Sequence, residues 1–169
     1  MFKILPSSGQ STINGLIFHP PLNPSSKEGW NAFSESLGLT ALLLSTVGKL
    51  LNLEYQDITI IPRGGNSKIR VSSTNTTLTL HTDGNFGIWG RRNFHRALNL
   101  LLVCVGTVGR WCRDVDRTMD IPYEVVTTGG NGGEGRVGGE VIGTGGGRGW
   151  KFLATDLIWI MASVGKYKD

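Results

Sequence analysis

His81, Asp83 and His95 are the residues of this chain whose types and closeness in sequence could move a proton. An imidazole titrates near neutrality, and a carboxylate beside it can orient it, so this group could act as an acid/base pair on a small substrate. Turn chemistry also accounts for Asp83-Gly84, and His81 stands on the outward face of an alternating strand. No G-x-S-x-G, H-E-x-x-H or paired-cysteine spacing accompanies them to assign a hydrolase or a metal enzyme. Cys104 and Cys112 are the two cysteines. Eight residues along a helix place them on one face but about 12 Å apart, too far to bond to each other. They read as two buried thiols, and the sequence implies no metal and no cofactor.

A second constellation combines cations with aromatic rings: Trp89, Arg91, Arg92, Phe94, His95 and Arg96. Guanidinium groups suit phosphate and aromatic rings suit base stacking, which makes Arg91, Arg92 and Arg96 candidates for contact with an anion or a nucleic acid. Phe94 fits a buried helical stripe, and Trp89 is expected to cap the sheet. Arg91 and Arg92 stand in the first turn of a predicted helix, where the macrodipole prefers acids; an anion bound there would relieve that conflict. A nucleic-acid reading further requires Arg110 and Arg113 to share one exposed face with them. The chain's formal charge of +4 permits an anionic partner without demanding one.

From residue 129 to residue 149, twelve of twenty-one residues are glycine. So few side chains offset little of the entropy lost on ordering, so the segment is expected to be a glycine-rich loop. Gly130 to Gly135 meets the G-x-G-x-x-G spacing, but no apolar helix follows to seat a pyrophosphate. A G-x-x-x-x-G-K-[ST] loop is absent from the sequence, which excludes that nucleotide site.

The elements that must position these groups are legible for much of the chain. Residues 1–24 read as an extended N-terminal segment, with Leu16-Ile17-Phe18 as an edge strand ahead of three closely spaced prolines. Ser25 and Glu28 have the spacing of a capping box. Trp30, Phe33, Leu37, Ala41, Leu44, Val47 and Leu51 then recur at steps of three and four, predicting an amphipathic helix over Ser25 to Leu53. Tyr55 to Ile61, Lys68 to Ser73 and Thr77 to Thr82 alternate as an antiparallel meander, followed by a turn at Asp83-Gly84-Asn85 and a short strand, Phe86 to Trp89. A second helix is predicted over Arg91 to Cys112, and Tyr123 to Thr128 reads as a strand. Trp150 to Val164 mixes both periods and, being apolar, should return to the core.

These elements predict one α+β domain over residues 1–169: an antiparallel sheet of at least three strands covered by two helices. Neither of the longest apolar tracts, Leu37 to Leu53 and Ala97 to Val108, reaches the roughly 20 residues of a spanning helix, so no membrane span is expected. Met1 to Gln10 has no secretory-signal pattern, which favours an intracellular protein. The function this supports is a small soluble interaction or ligand-binding module, contacting a protein or an anionic ligand through the start of the second helix. A small enzyme or accessory protein of a metabolic pathway, acting on an apolar or anionic metabolite, is the alternative, and it requires His81, Asp83 or His95 inside a concave pocket. Nucleic-acid binding is the third.

Overall fold

The apolar face running from Trp30 to Val47 closes into the expected helix, α1 (Lys27–Leu50). Its N-cap is Ser26, whose hydroxyl accepts the Gly29 amide at 3.0 Å, with Glu28 in the first turn. The cap falls one residue later than the capping-box spacing predicts. Asn23 holds a turn ahead of the helix: its side-chain oxygen accepts the Ser25 amide and its carbonyl accepts the Ser26 amide. The computed structural model describes residues 2–5, 11–85, 87–128, 135–144 and 147–165.

Strands β1 (Ile4–Leu5), β2 (Thr12–Ile13) and β3 (Leu16–Ile17) form an antiparallel sheet ahead of α1. A second antiparallel sheet, β4 (Ile58–Ile61), β5 (Lys68–Val71) and β6 (Thr76–Thr79), precedes α2 (Ile88–Val115). The third, β7 (Val125–Thr127), β8 (Gly135–Val137) and β9 (Glu140–Ile142), precedes α3 (Arg148–Val164). One unit, three strands and then a helix, thus occurs three times. The α+β class holds, but the sheet is divided: strands of two to four residues are too short to continue one another, and a helix follows each group of three.

Two sequence expectations change here. Part of the glycine-rich segment is a hairpin, because Gly138 and Gly139 supply φ of +58° and +81° for a two-residue turn and Val137 and Ile142 on either side are buried. Residues 129–134, 145 and 146, with most of the G-x-G-x-x-G spacing, lie outside the described residues. The same turn joins β2 to β3 through Asn14 and Gly15. Ile88 and Trp89 belong to the first turn of α2, so they form no strand, and Trp150 to Val164 is wholly helical.

The three helices meet around Phe33. Its ring lies 5.0 Å from Trp150 of α3 at 87°, 6.4 Å from Phe94 of α2 and 6.1 Å from Trp30 of its own helix. Trp30 donates its indole N–H to Pro24 O at 2.8 Å, and Trp150 donates to Gly143 O at 3.1 Å, so both buried indoles are satisfied. Ser34 ties α1 to the chain after β6: its hydroxyl donates to Thr82 O and accepts the Thr82 amide, each at 3.1 Å. No helix among the described residues is long and apolar enough to cross a membrane.

Candidate functional site

The start of α2 departs from ordinary helix design. Gly87 caps it without a side-chain hydrogen bond and its first turn carries no acid, as is also true of α3, whereas α1 has both a hydroxyl cap and Glu28. Trp89 projects from that turn with 72% of its surface exposed. The Arg92 guanidinium sits 6.0 Å from its ring centroid, the distance of a cation–π contact. Arg91 donates to Thr144 Oγ1 at 3.2 Å, which braces the helix start against the chain leading into α3.

Trp89 is therefore no cap on the sheet. It lies five residues before Phe94, about 140° around the helix from the buried stripe, and that offset was the signal available in the sequence. Arg91 and Arg92 are exposed and Arg96 is half-buried. Arg110 and Arg113 are exposed further along the helix. Arg92, Arg96 and Arg110 fall on the face of α2 that turns away from Leu98, Leu101, Val105 and Val108, whereas Arg91, seven residues before Leu98, lies beside the buried stripe and Arg113 on its flank.

His81 and Asp83 are exposed, and no hydrogen bond joins them. The Asp83 carboxylate instead accepts the Asn85 amide at 2.9 Å, which is turn chemistry. His95 is half-buried, its ring edge-on to Phe94 and packed beneath Gly143. Among the described residues, clefts of about 480, 310 and 340 Å³ open on the surface, and His81, Asp83 and His95 line none of these. Among the described residues no group of three or more His, Cys, Asp or Glu could hold a metal ion. Cys104 and Cys112 are buried free thiols; desolvation pushes Cys104 up to about 12 and raises Cys112 as well, which leaves both protonated and unreactive at neutral pH.

One ionisable group escaped the sequence reading. Asp156 of α3 is fully buried, three residues after Leu153 and four before Ile160, both also buried. A carboxylate at core spacing inside an apolar helix was the signal.

The family model of the Apg6 BARA domain matches residues 1–166. The chain is 24% identical over 102 residues to "Beclin-2" of Mus musculus, a match covering 60% of this chain and 23% of that protein. It is 26% identical over 102 residues to "Beclin-1-like protein" of Drosophila melanogaster, and 27% identical over 103 residues to "Beclin-2" of Homo sapiens, each match covering 60% of this chain and 24% of the relative. The chain thus spans about a quarter of the length of the curated relatives it matches.

Proposed function

The chain belongs to the Apg6 BARA-domain family, and from that premise we propose that it is a non-enzymatic protein-interaction scaffold of autophagy whose contact surface is the start of α2. The observation that carries this reading is the exposed indole of Trp89 with Arg92 across its ring and Arg91 anchored beside it. An exposed tryptophan contributes nothing to its own core, and tryptophan and arginine are the side chains that dominate binding energy when a partner buries them. The guanidinium groups of Arg91, Arg92 and Arg96 suit an acidic partner surface, whose negative charge would also offset the uncompensated helix dipole. The solvent positions of His81 and Asp83 support a binding module over the enzyme alternative.

The variants Trp89→Ala and Arg92→Ala test the reading, because neither side chain is in the core. Unfolding free energies are expected to stay within about 0.5 kcal/mol of the parent. Affinity for a partner that co-purifies with the parent should fall by about 2 kcal/mol or more, roughly thirtyfold, in an isothermal titration. Unchanged affinity in both variants would move the contact surface elsewhere.

The same observation favours a second reading, an anionic lipid surface. An amphipathic indole seats at the headgroup level, and each nearby arginine adds about 1 kcal/mol of attraction to acidic lipids. Flotation with phosphatidylcholine vesicles, with and without phosphatidylserine, separates it: binding that needs phosphatidylserine and is lost in Trp89→Ala would establish it. The nucleic-acid alternative predicts oligonucleotide binding that weakens steeply with salt and is lost when Arg91 and Arg92 are replaced by alanine.

A further inference from the structure

We propose that Asp156 is a proton-operated latch: its neutral carboxyl holds the third unit of the fold closed, and loss of the proton loosens that unit. The side chain is fully buried. Its Oδ1 accepts the Tyr123 amide at 3.0 Å, while Oδ2 is enclosed and bonded to no group among the described residues. A charged carboxylate in that position would have one oxygen with neither water nor a donor, which is costly; the acid form carries no such charge.

The bond has a position that matters. Tyr123 lies on the connection from α2 to β7, and Asp156 stands two turns into α3, so one hydrogen bond fastens the entry of the third unit to its final helix. One turn before Asp156, Phe152 stacks on the Tyr123 ring at 4.1 Å and 15°. The two rings close over Gly138 of the β8–β9 turn, where a Cβ would come within 2.8 Å of Phe152 and 2.9 Å of Tyr123. Entry, hairpin and helix are thus fastened around one carboxyl.

The ionisable groups on the surrounding elements are Arg91, Arg92, His95, Arg96, Cys104, Arg110, Cys112, Arg113 and Asp114 of α2, Asp116, Arg117, Asp120, Tyr123 and Glu124 of the connection, Arg136 of β8, Glu140 of β9 and Lys3 beside β1, with Arg148 and Lys151 on α3 itself. Arg113 pairs with Asp120 and Arg136 donates to Gly139 O. Two influences act on the Asp156 carboxyl: desolvation, the larger, raises it to about 7, and the Tyr123 amide pulls the other way. Because the native value stands above the ordinary 3.8, the native chain holds a proton that the unfolded chain has released. Stability is therefore full at low pH, is lost as pH rises from 3.8 to about 7, and stays at the lower level above that.

Asp156→Asn keeps an acceptor for Tyr123 and places an uncharged amide where the acid carries its proton. Urea unfolding of parent and variant should show the variant more stable at pH 8, with the gap narrowing at pH 5.5 and closing toward pH 4. Exchange of the Tyr123 amide in the parent, corrected for intrinsic rate, should be roughly tenfold or more faster at pH 8 than at pH 5.5, with no such change in the variant. A gap independent of pH would overturn the latch. If the variant does not fold, a ¹³C titration of the Asp156 carboxyl in the parent decides: a midpoint near 7 supports the proposal, and one near 4 overturns it.

Discussion

Replacing Phe33 by alanine is expected to lower the unfolding free energy by about 3–5 kcal/mol, the range for a fully buried phenylalanine whose cavity cannot collapse. Collapse is prevented because the ring is held from three sides: Trp150 of α3 lies against it nearly at right angles, and Phe94 of α2 and Trp30 of α1 complete the enclosure. Those neighbours belong to three different units, so none can close the gap without moving a whole helix. Urea denaturation is the measurement, with the slope checked to confirm that the folded state keeps its compactness. Phe33→Leu should recover more than half of the loss, because it restores most of the volume. A cost for alanine below about 1.5 kcal/mol would mean that the helices do not depend on this ring.

Gly38→Ala is expected to destabilise by about 3 kcal/mol or more, a fall of roughly 6–12 °C in Tm, although alanine is the better helix former by about 1 kcal/mol. A Cβ at position 38 would lie 2.0 Å from Gly64 O and 2.4 Å from its carbonyl carbon. The obstacle is backbone that cannot retreat. Gly64 stands at φ +54°, and its carbonyl accepts both the Ser67 hydroxyl at 2.7 Å and the Ser67 amide at 3.1 Å. Gly106 of α2 is the control: a Cβ there meets only ordinary contacts, 3.6 Å from Arg110 and 3.8 Å from Val125. Gly106→Ala should raise stability by about 0.5–1 kcal/mol, so the two substitutions carry opposite signs. Thermal unfolding of both proteins shows this, and a gain at Gly38 would rule out the close approach of α1 to the Gly64 turn.

What the sequence revealed follows from which signals are local. The step of three and four from Trp30 to Val47 specified α1, and alternation in Lys68 to Ser73 and Thr77 to Thr82 pointed to β5 (Lys68–Val71) and β6 (Thr76–Thr79), because each pattern is local to one element. The threefold plan was not legible: the strands of the first and third units are only two or three residues long, too short to show alternation. Glycine content also misled, since the residues that dilute apolar character around Val137 and Ile142 are the ones that let β8 turn into β9. At the candidate site, Arg91 and Arg92 stood out as cations at a helix start. Trp89 belongs to the same constellation, but with the helix beginning at Arg91 it reads as the end of a strand and a cap on the sheet. Starting α2 at Ile88 is what turns the indole outward.

The recurrence of one unit three times has a consequence for how such a chain can change. Near the start of every helix an aromatic side chain enters the core: Trp30 in α1, Phe94 in α2 and Trp150 in α3. The first and third tryptophans are tied back to the backbone just ahead of their helices, so those two starts are committed to holding the molecule together. The middle helix begins more than a turn before its core aromatic, and the added turn carries Trp89 and Arg92 outside the shared packing. Frame and contact surface are thereby uncoupled: substitutions in that turn can retune a partner without disturbing the interior, leaving one copy of the unit free to diverge while the other two keep the architecture.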